Sequence, residues 1–162
     1  MSKMHETDLT GQVAVITGAS RGLGRAFAIS LAEKGASVGI VARSATGLKE
    51  VGSIIRNAGG HAVEAFCDLL DEQSIGEAIE YIEGRLGNID ILINNAGVAG
   101  PTGPDWTLDA KEWWKVFEVN VLGQFLVSKA VISGMAKRGK GRVVNVSSAA
   151  AGYPSANYSA YC

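Results

Sequence analysis

Val13-Ala14-Val15-Ile16-Thr17-Gly18-Ala19-Ser20-Arg21-Gly22-Leu23-Gly24 is the stretch that decides the fold. Val13 to Ile16 read as a buried strand, entered from Gly11 and left at Gly18. A helical period follows from Leu23 to Lys34, with Phe27 and Leu31 at i and i+4, and stops at Gly35. A glycine-rich turn between strand and helix leaves the first helical N–H groups facing an anion. Gly18 can make the tight turn, Gly22 leaves room for a pyrophosphate, and Gly24 lets helix and strand pack closely. The spacing is G-x-x-x-G-x-G, not the G-x-G-x-x-G of the widespread dinucleotide fingerprint. Three glycines alone would also suit a plain βα loop; placement at the head of a βαβ series favours the phosphate reading.

Outward from this loop, the pattern keeps alternating. Ser37 to Ala42 is a second strand, and Leu48, Val51, Ile55 and Ala58 mark a helix face closed by Gly59-Gly60. His61 to Phe66 is a third strand, and Ile75, Ile79, Ile82 and Leu86 mark the next helix. Ile89 to Ile93 is a fourth strand, Leu108 to Lys137 one long helix, and Arg142 to Val146 a fifth strand. Such alternation predicts an α/β fold with a Rossmann-like, doubly wound parallel sheet of about five strands. Residues 1–162 read as one dinucleotide-binding domain with no linker. Pro101-Thr102-Gly103-Pro104 marks a loop after the fourth strand, on the side where such sheets bind ligands.

Composition narrows the function. The 162 residues are 47% hydrophobic and 19% charged, with net charge −1. That is a globular composition, with no field suited to nucleic acid. The basic cluster Lys137, Arg138, Lys140 and Arg142 reads as a helix C-terminus followed by a turn. Cys67 and Cys162 form no disulfide framework, which fits a reducing compartment. Met1 to Thr10 is polar, without the apolar core of a secretory signal. No unbroken apolar run approaches the ~20 residues of a membrane span. These features set cytoplasmic location and no membrane partner as expectations. His5 and His61 stand apart from any ligand cluster, so no metal is expected.

Chemistry concentrates near the C-terminal end, where Ser148 and Tyr161 lie thirteen positions apart. No His or Asp is placed to make Ser148 a nucleophile. Trp113, Val116, Phe117 and Asn120 follow at i, i+3, i+4 and i+7, which puts Asn120 on an apolar helix face. From periodicity alone, a helix-kinking or network role suits it as well as a catalytic one. Asp68 could cap a turn, contact a ligand, or do both. Asn94 and Asn95, ending a buried strand, could tie strands together or bond a ribose.

T-G-x-x-x-G-x-G at Thr17–Gly24 resembles the cofactor loop of the short-chain dehydrogenases/reductases, in their single-domain subtype. Asn94-Asn95-Ala96-Gly97 resembles that family's second signature, and Asn120, Ser148 and Tyr161 match its catalytic residues in order and spacing. The resemblance covers about Leu9 to Cys162. It implies hydride transfer between a nicotinamide and a carbonyl or secondary alcohol, with a small-molecule substrate and a homodimer or homotetramer for the full-length form. It implies cofactor contacts from Gly18, Ala19, Ser20, Arg21, Gly22, Leu23 and Gly24, from Arg43, from Asp68 and Leu69, from Asn95, Ala96 and Gly97, and from Tyr161. Ser148 would hold the substrate oxygen, Tyr161 would move the proton, and Asn120 would join a water-linked relay. Tyr153 and Tyr158 are rival tyrosines, but Tyr158 would put Cys162 at the lysine position.

The second strand ends Val41-Ala42-Arg43 with no acid to bond a ribose 2′-hydroxyl, whereas Arg43 and Arg21 can bind a 2′-phosphate. NADP(H) is therefore expected over NAD(H). The family's lysine would fall at position 165, beyond Cys162, so the resemblance implies little or no reductase activity for these 162 residues. It also implies an uncovered fifth strand. A non-catalytic NADP(H)-binding protein or an inactive fragment is the alternative. The sugar-nucleotide epimerases fit less well, because Arg21 stands where their middle glycine falls.

Overall fold

The computed structural model describes residues 7–162. Residues 1–6, with His5 and most of the polar N-terminal stretch, lie outside the described residues. The strands are β1 (Val13–Thr17), β2 (Ser37–Ala42), β3 (Ala62–Phe66), β4 (Ile91–Asn94) and β5 (Arg142–Asn145). The helices are α1 (Gly22–Glu33), α2 (Ala45–Asn57), α3 (Glu72–Leu86), α4 (Ala110–Phe117) and α5 (Gln124–Arg138). All five strands pair in parallel, in the order β3-β2-β1-β4-β5. The order reverses between β1 and β4, and a crevice opens at the carboxyl ends of the strands there.

Alternate residues of β1 serve opposite layers. Val13 and Val15 join Leu92, Ile75, Ile79, Ile82, Val127 and Val131 on the α3/α5 side. Ala14 and Ile16 join Val38, Ile40, Leu48, Val51, Ile55 and Ile93 on the α1/α2 side. A strand covered on both faces must be apolar throughout, which is why β1 reads as a run and not as an alternation. Gly39 on β2 belongs to the same packing, since a Cβ there would lie 2.7 Å from Ile82 Cγ2.

Two boundaries differ from the expected pattern. The fourth strand begins at Ile91, because β5 pairs it only from Ile91↔Arg142 onward. Ile89 is nevertheless fully buried, and Asp90 N–H bonds Val13 O at 2.9 Å. The long helix is not one α-helix: a six-residue π-helical segment, Glu118–Gly123, separates α4 from α5. Tyr161 lies in a turn, its N–H bonding Tyr158 O at 2.9 Å.

The helical stretch Ala110–Arg138 is long and apolar enough to cross a membrane, by length and composition alone. Lys111, Glu112, Lys115, Glu118 and Lys129 interrupt it, so it holds no unbroken apolar run of that length. Here its Val127, Val131 and Met135 are buried in the core, as in the inner helix of a packed domain. Among the described residues β5 lies at the edge of the sheet, with Val143 37% and Val144 48% exposed.

Candidate functional site

A cleft of about 560 Å³ opens at the carboxyl ends of β1 to β4. The glycine loop forms one wall, and each glycine serves a different purpose. Gly18 has φ +66°, and a Cβ there would sit 2.9 Å from Ala96 Cα. Gly22 has φ +56° with nothing within 4 Å of the Cβ position, so its side faces open space. Gly24 is buried, and a Cβ there would press on the Gly18 carbonyl and Asn95 Nδ2. The close packing expected at Gly24 is thus to the loop and to the residue after β4.

The start of α1 is electrostatically unfinished. Ser44 caps α2, Asp71 caps α3 and Asp109 caps α4 through side-chain hydrogen bonds. Arg21, at the equivalent place on α1, makes no such bond. The first helical bond runs from Arg25 N–H to Arg21 O at 3.3 Å. Gly22 and Leu23 precede it and line the cleft, with the positive end of the helix dipole behind them. Arg21 and Arg43 stand exposed at the rim, with no ion pair to either among the described residues.

Ser20, Asp68, Leu69, Asn95, Ala96 and Gly97 also line the cleft. Asp68 takes up the turn role as well: its Oδ1 accepts from Leu70 N–H at 3.2 Å, and its own N–H donates to Ser74 Oγ. Ala19 and Gly24 do not line it. Ala19 is fully buried, and its N–H is bonded to Val41 O at 3.1 Å, so it shapes the loop from behind.

Thr17, for which the sequence alone points to no role, joins the two walls. Its Oγ1 accepts from Asn95 N–H at 3.0 Å and Ala96 N–H at 3.1 Å. Asn95 Nδ2 donates back to Thr17 O at 3.0 Å. The available signal was a polar residue ending an apolar strand, 1% exposed, which needs partners. Asn94 takes the strand-tying option: Nδ2 donates to Ser128 Oγ at 2.8 Å and Asn145 Oδ1 at 2.9 Å.

Asn120 sits in the π-helical segment, and both ends of its amide are engaged. Oδ1 accepts from Val98 N–H and Nδ2 donates to Val98 O, each at 2.9 Å. The network role left open by periodicity is therefore present, and Val98 and Val119 line the cleft on either side of it. Ser148 Oγ accepts from Ala150 N–H at 3.2 Å. Tyr161 is 37% exposed. Among the described residues no direct hydrogen bond joins Asn120, Ser148 and Tyr161, and none of the three lines the cleft.

Cys67, 2% exposed, also borders the cleft and escaped the site reading. Burial pushes its thiol above the ordinary pKa, and the Ser74 hydroxyl pulls weakly the other way. A raised pKa leaves little thiolate at neutral pH. At pH 7.5, exposed Cys162 is expected to react with N-ethylmaleimide first, with Cys67 slower by at least about tenfold. Peptide mapping of the alkylated chain would reveal this, and equal rates would contradict the burial.

Residues 12–162 match the family described as short chain dehydrogenase. The chain belongs to that family. This short-chain dehydrogenase sequence is 40% identical over 159 residues to the 2,3-dihydro-2,3-dihydroxybenzoate dehydrogenase of Bacillus subtilis, covering 98% of this chain and 60% of that one. It is 39% identical to a short chain dehydrogenase of Pseudocercospora fijiensis over 94% of this chain and 50% of that one. Among solved structures, a 7α-hydroxysteroid dehydrogenase with NADH and 7-oxo glycochenodeoxycholic acid matches with TM-score 0.92 and 34% identity, covering 99% of this chain and 62% of that one. A metagenomic short-chain oxidoreductase in complex with NADP matches with TM-score 0.90 and 38% identity, covering 94% and 69%. The chain thus spans 50% to 60% of these two curated relatives' length.

Proposed function

We propose that the cleft binds a nicotinamide dinucleotide, NADP(H) in preference to NAD(H), and that the protein is an oxidoreductase acting on a carbonyl or secondary alcohol. The observation that carries this reading is the uncapped start of α1, opening on the cleft beside Arg21 and Arg43, which have no ion-pair partner among the described residues. The two relatives solved with cofactor hold NADH in one case and NADP in the other, so they do not choose between them. Charge supports the choice: Arg43 and Arg21 attract a 2′-phosphate, and no carboxylate at the end of β2 receives a 2′-hydroxyl.

In this reading the N–H groups of Gly22 and Leu23 hold the pyrophosphate, Asp68 and Leu69 border the adenine, and Asn95 to Gly97 border the nicotinamide ribose. Gly24 and Ala19 give the loop its shape. The bound nicotinamide supplies or accepts the hydride. Ser148 orients the substrate oxygen and Tyr161 donates or accepts its proton. A phenol near pKa ~10 needs adjacent positive charge to work near neutral pH. In the family that this chain resembles, that charge comes from a lysine four residues after the tyrosine. The assembled form is a homodimer or homotetramer, a reading supported by exposed Trp114, Val121, Leu122 and Phe125 along the α4–α5 stretch.

Titration of the chain with NADPH and NADH, followed by nucleotide fluorescence, tests the assignment. NADPH is expected to bind more tightly. Arg43→Asp is expected to reduce the NADPH:NADH preference about 10- to 100-fold, the loss of one or two charge-assisted hydrogen bonds. A preference unchanged by Arg43→Asp would remove the phosphate assignment, and no binding of either nucleotide would remove the cleft's.

A further inference from the structure

The phenol of Tyr161 has no hydrogen bond among the described residues, and its backbone N–H is used within its own turn. Its position is set instead by what holds the residues before it. Gly103 N–H donates to Asn157 O at 3.0 Å. Trp113 Nε1–H donates to Ser159 Oγ at 3.0 Å, and the Ser159 hydroxyl donates to Asp105 Oδ1. One hydroxyl thus uses both its accepting and its donating capacity, and bonds in such a chain strengthen one another. Trp113 is braced by Phe117, with ring centroids 4.7 Å apart. Ala160, between Ser159 and Tyr161, is buried, and a Cβ on Gly100 would lie 3.8 Å from its methyl.

Asp105 and Gly103 belong to the loop that leaves β4 through Gly97 and Val98 at the cleft. Trp113 belongs to α4, which leads into the Asn120 segment. Ser159 is therefore the meeting point of the cleft loop, helix α4 and the tyrosine-bearing turn. We propose that Ser159 is a positioning residue: it pins Tyr161 to the loop after β4, so that the tyrosine follows that loop. The inference rests on the reading of Tyr161 as the proton-carrying group. Its consequence is that a ligand ordering the loop also orders the phenol.

The test uses the chain labelled with 3-fluorotyrosine and with ¹⁵N-indole tryptophan. The Tyr161 and Trp113 signals are assigned through Tyr161→Phe and Trp113→Phe. Ser159→Ala is expected to shift and broaden both the Tyr161 fluorine signal and the Trp113 indole signal, while Tyr81 on distant α3 reports an unchanged fold. Asp105→Ala is expected to move the same two signals, and Ser159→Thr, which keeps the hydroxyl, to restore them. A Trp113 signal that moves while Tyr161 stays still would overturn the positioning role. Neither signal moving in a folded Ser159→Ala chain would overturn the network itself. NADPH titration of the parent chain tests the dinucleotide reading separately from the position of the tyrosine. Failure of the parent to bind would sink the dinucleotide assignment while leaving the fluorine result standing.

Discussion

Gly24→Ala is expected to destabilise the chain by about 1 kcal/mol and to weaken dinucleotide binding at least about tenfold, although alanine is the better helix former. The added Cβ meets the Gly18 carbonyl and Asn95 Nδ2. Neither can retreat, because Asn95 Nδ2 is bonded to Thr17 O at 3.0 Å and Gly18 lies against Ala96. Overpacking of this kind costs about 1–3 kcal/mol, against about 1 kcal/mol gained by replacing a helical glycine. Gly76→Ala in α3 is the matched control, since nothing lies within 4 Å of its Cβ position. There the propensity gain stands alone, and stability is expected to rise by about 0.5–1 kcal/mol. Urea midpoints for the two variants should move in opposite directions, and a Gly24→Ala midpoint at or above the parent's would refute the contact. In the binding assay, loss confined to Gly24→Ala would tie the cleft's shape to this one contact.

Asn120→Leu is expected to cost about 3 kcal/mol, lowering Tm by about 6–12 °C for a chain of this size. Leucine removes both partners of Val98 at once, and an orphaned backbone group costs about 1–3 kcal/mol. Val98 and Val119 both line the cleft, so NADPH affinity is expected to fall with stability. That pairing distinguishes a clamp from a purely catalytic amide, whose loss would leave the melting curve where it was. Calorimetry showing Tm within 2 °C of the parent, alongside full NADPH affinity, would transfer Asn120 to catalysis alone.

The order of strands and helices was legible because two-sided burial writes itself into composition. β1 and β2 had to be apolar on both faces, and α2 and α3 had to present Leu48, Val51, Ile75 and Ile79 inward. The glycine wall of the cleft was legible because only glycine suits positive φ at Gly18 and Gly22. What escaped depends on partners distant in sequence. Thr17 works through Asn95, 78 residues on. The π-helical segment keeps the apolar spacing of an ordinary helix, and only the bonds from Asn120 to Val98 mark its place. Nothing local to Cys67 says that it borders a cleft. Ser148 and Tyr161 were singled out by spacing, which fixes their order and not their distance.

The central strand carries a last consequence, for synthesis. β1 pairs with β2 after about one helix of chain, but its other edge waits for Ile91, which pairs with Ala14 across 77 positions. Made from the N-terminus at about 5–20 residues per second, the chain leaves Val13 to Thr17 half-paired for several seconds before β4 is made. Closing so long a loop is entropically slow compared with forming β1-α1-β2. On the ribosome, the nascent β1-α1-β2-α2-β3 unit therefore exposes the edge on which the rest of the sheet is later built. Synonymous codons that slow translation between Phe66 and Ile91 would lengthen that exposure and the opportunity for chaperone capture.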